Sequence, residues 1–344
     1  MIYFYVYPSA FQNPGGGEVL LLKTKEYLKR AGVQVKLFDM WNDRLEKNDL
    51  LHVFGSVKEA FGLMEAAKAI GTKIVHSPII WYNWPSSFGV EYSLGERVLC
   101  IGRQVAKTFV PMIPSTRKKM MQTANIVLAG SKMEARQIHR YFLLPESKIK
   151  TVAYGVDEYF AEAKSEAFIQ KHGFKDFVLC VGRIEPRKNQ LNLIRAMNQI
   201  DRDLILIGDP VHHHMAYYER CRKEAGSNVR FLGAFERDSE LLRSAFAACD
   251  IFALPSWFET PGLSALEAGL AGAKIVITTE GSTKEYFQDM VHYAKPENIS
   301  DIKQKIEDAI NSKKTDRLKN HIRAKYLWCH TAVQTLNIYK TVLN

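Results

Sequence analysis

Short uninterrupted runs of Val, Ile, Leu and Phe recur along this chain, each followed by a stretch with helical spacing. Such runs are what strands buried on both faces look like, and a sheet buried on both faces is a parallel sheet covered by helices. In the first half the strands are expected at Ile2–Tyr7, Val33–Phe38, Leu50–Phe54, Lys73–His76 and Ile126–Ala129. In the second half they are expected at Phe177–Val181, Leu204–Ile207, Val229–Leu232, Ile251–Leu254 and Lys274–Ile277. The series predicts an α/β protein with two doubly wound, Rossmann-like parallel sheets, joined near Val156 to Ser165. At 344 residues the chain has room for two such domains of roughly 150 to 180 residues each.

Composition narrows the setting. Five cysteines (Cys100, Cys180, Cys221, Cys249 and Cys329) show no metal-ligand spacing, which points to a reducing compartment and no structural metal. The start, Met1 to Pro8, reads as a first buried strand and not as a signal peptide or membrane span, so a cytoplasmic protein is expected. The net charge of +10 is concentrated early: from Arg97 to Lys150 there are eleven Lys and Arg against two Asp and Glu. Apolar and cationic residues interleave there, so this stretch is either a solvated basic face or a contact with an anionic membrane at its inner face. Nucleic acid is not expected, because no recognition-helix signature or stacking sheet accompanies the charge.

In an open parallel sheet, ligands bind at the carboxyl ends of the strands. The most informative such place is Pro255 to Gly269, where the run Ile251–Leu254 stops and a helix should open near Pro261. The amides of Gly262, Leu263 and Ser264 would point outward from that helix start and suit a phosphate. Glu259 stands in front of them and Glu267 a turn or so behind, among small and apolar residues. Carboxylates accept hydrogen bonds from sugar hydroxyls, so the order of groups fits a sugar nucleotide. A solvated loop charge and an ordinary helix-surface residue are the alternative.

Three further segments carry weaker signals. After Phe177–Val181 comes Gly182-Arg183-Ile184-Glu185-Pro186-Arg187-Lys188, whose Arg183 and Lys188 could neutralise a diphosphate or form a solvated basic turn. Pro14-Gly15-Gly16-Gly17-Glu18 follows the first strand and could cradle phosphate or sugar oxygens, with a plain flexible loop as the alternative; it matches neither a nicotinamide fingerprint nor a P-loop. His76 ends its strand before the aromatic loop Trp81 to Trp84 and reads first as a satisfied core histidine. His212 to His214 follow a turn, where adjacent side chains diverge, and are not expected to hold a metal.

Together these motifs resemble the family-4 (group 1) retaining glycosyltransferases of the GT-B fold. The glycine loop, Ile126 to Ser131, Ile149 to Phe160, Val181-Gly182-Arg183 with Lys188, and Phe258-Glu259 through Glu267 stand in that family's order. The resemblance implies an acceptor-side domain over residues 1–160 and a nucleotide-sugar domain over 161–327, facing across a cleft. A last helix at about 328–344 would pack back on the first. It implies that Arg183 and Lys188 hold the donor diphosphate, Glu259 the transferred sugar and Glu267 the ribose, while Gly262, Leu263 and Ser264 lie along the donor and Gly16 and Gly17 close over it. His76 is the nearest candidate for the family's catalytic-region histidine. The implied activity is retaining, metal-independent hexosyl transfer from a nucleotide-diphosphate sugar to a glycan or lipid-linked acceptor, with no cofactor. A sugar-nucleotide epimerase or hydrolase, and a non-enzymatic basic binding module, are the competing readings. Two departures from the family pattern stand out: Glu259-Thr260-Pro261-Gly262 for Glu-Gly-Phe-Gly, and Lys188-Asn189 for Lys-Gly.

Overall fold

A computed structural model of the chain describes residues 1–12, 15–82 and 115–344, with residues 95, 98, 99, 101, 102 and 105 between them. The chain divides into two compact units, one of residues 1–82, 103–155 and 326–344, the other of residues 83–102 and 156–325.

In the first unit, β1 (Ile2–Tyr5) leads to α1 (Gly16–Arg30), β2 (Val35–Leu37), β3 (Leu50–Phe54), α2 (Ala60–Ile70) and β4 (Lys73–Ser77). It continues through α3 (Thr116–Thr123), β5 (Ile126–Ala129), α4 (Lys132–Phe142) and β6 (Ile149–Thr151). The six strands are parallel in the order β2-β1-β3-β4-β5-β6. Strand order reverses between β1 and β3. The inner strands β1 and β3 are buried along their whole length, which is why they read as continuous apolar runs. The edge strand β6 has no apolar run, since two of its three residues are exposed, and it escaped the pattern for that reason.

The second unit holds α5 (Glu166–His172), β7 (Val178–Val181), α6 (Gln190–Met197), β8 (Leu204–Ile207), α7 (Met215–Glu224) and β9 (Val229–Phe231). There follow α8 (Glu240–Ala248), β10 (Ile251–Leu254), α9 (Leu263–Leu270), β11 (Lys274–Thr278), α10 (Thr283–Phe287), β12 (His292–Ala294), α11 (Ile299–Asn311) and α12 (Arg317–Lys325). Its parallel sheet runs β12-β11-β10-β7-β8-β9. This is the dinucleotide-fold order, with the reversal between β7 and β10, and such a reversal opens a crevice at the carboxyl ends of the two strands.

The last helix, α13 (Trp328–Leu343), belongs to the first unit and packs on α1. Tyr339 on α13 is 1% exposed, and its hydroxyl lies 2.5 Å from Nδ1 of His52 on β3, whose Nε2 lies 2.8 Å from Oγ of Ser77 on β4. Thr331 Oγ1 donates to the Ala153 carbonyl at 2.8 Å. Gly155 passes directly under the helix start: a Cβ there would sit 2.5 Å from the Leu327 carbonyl carbon, so only glycine lets the two backbones meet.

Candidate functional site

The loops after β7 and β10 meet at the reversal point of the second sheet. Gly182 leaves β7 at φ 150°, beside Gly208 at the end of β8, also at φ 150°. A Cβ on Gly208 would lie 2.0 Å from the Gly182 carbonyl oxygen, so the two strand ends touch through glycine alone. Beyond Gly182, Pro186–Lys188 form one tight turn and Asn189 follows in the left-handed region at φ 60°. Asparagine tolerates that conformation, so it can take the glycine position of the related pattern. Its side chain adds what glycine could not: Nδ2 donates to the carbonyls of Pro255 at 2.9 Å and Pro296 at 2.8 Å. With Trp257 N donating to Arg187 O at 2.9 Å, the β7 loop is tied to the β10 loop.

That tie brings Lys188 to Glu259. The two are far apart in sequence, yet Lys188 Nζ lies 2.7 Å from Glu259 Oε1, with side chains 14% and 7% exposed. Arg187 Nη1 stands 3.9 Å from the same oxygen and also donates to Phe258 O at 3.2 Å. Burial pushes the Glu259 carboxyl up, but Lys188 and then Arg187 outweigh it and hold the group below its ordinary range. Arg183 is less committed: its guanidinium is 40% exposed and 3.7 Å from Glu185, which Arg187 engages at 3.0 Å. The result is a cluster of three cations with one exposed guanidinium, built around a buried carboxylate. A lysine ammonium has three donors, so Lys188 can serve Glu259 and a phosphate oxygen together.

The helix behind this cluster opens two residues later than Pro261. Gly262, at φ 90°, breaks the chain before the helix, so α9 begins at Leu263. The Gly262 carbonyl takes the amides of Ala265 at 3.0 Å and Leu266 at 3.2 Å. Leu263 and Ser264 are therefore the first two helical residues, whose amides have no acceptor within the helix, while Gly262 serves as the cap. Glu267 lies on the inner side of α9 with its side chain 5% exposed, and Arg237 Nη2 approaches its Oε1 at 2.5 Å. The small residues around it have a packing reason: Gly269 faces Leu318 and Ile322 of α12, where a Cβ would come within 2.8 Å of Ile322 Cδ1.

The remaining candidates belong to the first unit. Gly16 and Gly17 are not loop residues but the opening of α1, and neither uses a positive φ. Gly15 caps that helix in an extended conformation, with its amide held by Glu18 Oε2 at 2.7 Å. Gly17 is glycine because Ile79 lies on it: a Cβ would be 3.1 Å from Ile79 Cδ1. Ile79 itself has φ 52°, an outlier for a β-branched residue, and such strain persists only where neighbours over-determine the backbone. Here they do. The buried Glu134 accepts from Ile80 N and Gly130 N, each at 2.7 Å, and Gln137 holds both the amide and the carbonyl of Tyr82 at 2.9 Å. Burial raises the Glu134 carboxyl to about 7 against the pull of those two amides.

His76 is wholly enclosed. Its Nε2 lies 2.9 Å from the Gly55 carbonyl, Nδ1 meets no partner among the described residues, and burial lowers its pKa to about 4. Unfolding restores the ordinary value near 6.5, so the unfolded chain binds the proton first. The neutral histidine's contribution is complete above pH 6.5 and is lost as pH falls towards 4, by about 3 kcal/mol in full. Urea unfolding at pH 7.5 and pH 5 should therefore show a loss of stability that is smaller in His76→Gln; an identical loss in both proteins would show that His76 takes up no proton on unfolding.

Sequence reasoning missed the roles of Arg187 and Glu185, which sat unremarked inside the quoted loop, and those of Arg237 and Glu134, for which there was no local signal. Asn83, Trp84 and part of the basic stretch 97–150, up to residue 114, fall outside the described residues, as does Pro14. His212–His214 form one helical turn with His212 and His213 exposed and His214 half-buried, and no group of three or more His, Cys, Asp or Glu is placed to hold a metal among the described residues. No helix of the described residues is long and apolar enough to cross a membrane.

Two parallel-sheet units of this topology make up the GT-B architecture, and the likeness to solved structures runs over the whole chain. A glycosyltransferase from Rickettsia africae ESF-5 superposes with a TM-score of 0.76 at 17% identity, covering 100% of this chain and 98% of its own. HepE of Anabaena in complex with UDP and glucose superposes with a TM-score of 0.69 at 18% identity, covering 98% and 99%. Residues 162–325 match the family model of glycosyl transferases group 1. An uncharacterized glycosyltransferase of Methanocaldococcus jannaschii is 26% identical over 63% of this chain and 60% of its own length. The O-antigen chain mannosyltransferase B of Escherichia coli is 27% identical over 64% and 61%. The chain thus spans about 60% of the length of these curated relatives.

Proposed function

We propose that the protein is a retaining, metal-independent glycosyltransferase that takes a hexose-type sugar from a nucleotide-diphosphate sugar. The acceptor is a glycan or a lipid-linked glycan of cell-surface polysaccharide or glycolipid synthesis, reached at the cytoplasmic face of the membrane, where the basic stretch 97–150 is the contact. The observation that carries this reading is the Lys188–Glu259 pair at 2.7 Å, set where strand order reverses and directly in front of the α9 N-terminus. The UDP and glucose held by the Anabaena neighbour and the mannosyltransferase name of the Escherichia coli relative support the donor class.

The charges fit the chemistry. As the bond between sugar and diphosphate breaks, negative charge grows on the diphosphate and positive charge on the anomeric carbon. Arg183, Lys188 and the first amides of α9 stabilise the departing diphosphate, the work a divalent metal does elsewhere. Glu259, kept ionised by Lys188, accepts hydrogen bonds from the sugar hydroxyls. A phosphate oxygen of the departing group takes the acceptor's proton on the same face, so configuration is retained. Glu267 receives the ribose.

A thermal-unfolding panel with UDP, GDP, ADP and their sugars, with and without EDTA, tests the proposal. One nucleotide series should raise the unfolding midpoint, equally with the chelator, because a ligand of the folded state adds RT ln(1 + [L]/Kd) to stability. No shift with any of them would remove the donor site. Product analysis with added acceptors then separates transfer from isomerisation or hydrolysis of the donor alone.

A further inference from the structure

We propose that Arg237 is a positioning residue for the nucleoside: it holds the Glu267 carboxylate in the orientation in which it receives the ribose hydroxyls. This rests on the reading above that Glu267 faces the ribose.

The need for such a residue follows from burial. Glu267 has a side chain only 5% exposed, and a carboxylate so enclosed must be paired to stay ionised. Arg237 Nη2 at 2.5 Å supplies the pair from thirty residues away in sequence. The segment that carries Arg237 is fixed independently of that contact. Gly208 N donates to Gly233 O at 2.9 Å, Ala234 N to Asp209 Oδ1 at 2.9 Å, and Tyr159 OH to Asp238 Oδ1 at 2.8 Å. Ser239 then caps α8 through Leu242 N at 3.2 Å. Arg237 therefore reaches Glu267 from a braced loop and not from a mobile one.

The contact itself runs from one guanidinium nitrogen to one carboxylate oxygen. An ionised carboxylate offers roughly four acceptor directions, so a ribose diol can share it with the guanidinium.

The test measures binding of UDP, GDP and ADP, of their 2′,3′-dideoxy forms and of inorganic pyrophosphate to the full chain by calorimetry. The unmodified protein should prefer its ribonucleotide over the dideoxy form by ~10-fold or more, since a site built to bind a hydroxyl rejects the analogue lacking it. Arg237→Ala should bring that ratio to within about twofold and leave pyrophosphate affinity unchanged, because the diphosphate cations are untouched. Arg237→Lys should restore part of the preference, and its unfolding midpoint controls for folding. Glu267→Gln losing the preference while Arg237→Ala keeps it would overturn the proposal and leave the ribose reading standing. Glu267→Gln keeping the preference would remove the ribose reading, and the role of Arg237 with it.

Discussion

Lys188→Ala is expected to lower kcat/KM for the nucleotide sugar by about 10²- to 10³-fold and also to destabilise the second unit by about 3 to 5 kcal/mol. Both effects come from one atom. Nζ is the cation nearest Glu259 among the described residues, and with it gone a carboxylate that is 7% exposed keeps Arg187, at 3.9 Å, as its remaining ion pair among them. An uncompensated buried charge is costly, so Glu259 should take up a proton in the variant and stop accepting hydrogen bonds in the way the sugar requires. The double variant Lys188→Ala, Glu259→Gln should recover much of the stability and none of the activity. Chemical denaturation and steady-state kinetics on the same preparations check both halves. Unchanged kcat and KM in Lys188→Ala would show that the catalytic charge cluster lies elsewhere.

Gly281→Ala is expected to do comparable damage from the other side of Glu259. Gly281 has φ 97°, and a Cβ there would lie 2.0 Å from the Glu259 carbonyl oxygen and 3.0 Å from its amide nitrogen. The contact cannot be relieved by a rotamer change, because the obstacle is backbone that Ser282 N holds by donating to the same carbonyl at 3.0 Å. Left-handed strain and overpacking together predict a loss of roughly 2 to 4 kcal/mol, with Glu259 displaced and turnover reduced accordingly. Gly62→Ala in α2 is the control: it has open space around it and helical geometry, so it should be neutral or stabilising by up to about 1 kcal/mol. Equal unfolding midpoints for the Gly281 variant and the unmodified chain would mean that the loop after β11 yields easily and does not brace the site.

Short apolar runs made the sheets legible because strands buried on both faces leave a one-dimensional signature: β3, β5, β8 and β10 stand where their runs of residues stand. The edge strands β6 and β12 were not legible, since Ile-Lys-Thr and His-Tyr-Ala hold too few Val, Ile, Leu or Phe residues to make a run, whereas the equally short edge strands β2 and β9 lie inside longer apolar stretches. The start of α9 was misplaced by two residues because proline marks a helix start only approximately, while the left-handed Gly262 sets it. The residue types of the candidate site were likewise readable from the segments after two strands, where Gly182 precedes Arg183 and Lys188 and Gly262 lies between Glu259 and Glu267. What each carboxylate would touch was not.

The sequence by itself determined two parallel-sheet units and the places where strands hand over to helices, because those depend on local periodicity and on turn chemistry. Only the tertiary structure decided that Lys188 belongs to Glu259, Arg237 to Glu267, and Glu134 to the strained loop at Ile79. Those pairings depend on strand order and on glycines that let backbones touch, and sequence separation says nothing of either. A buried carboxylate must find a counter-charge or a set of amides, but which one is settled by what the fold brings within about 3 Å of it.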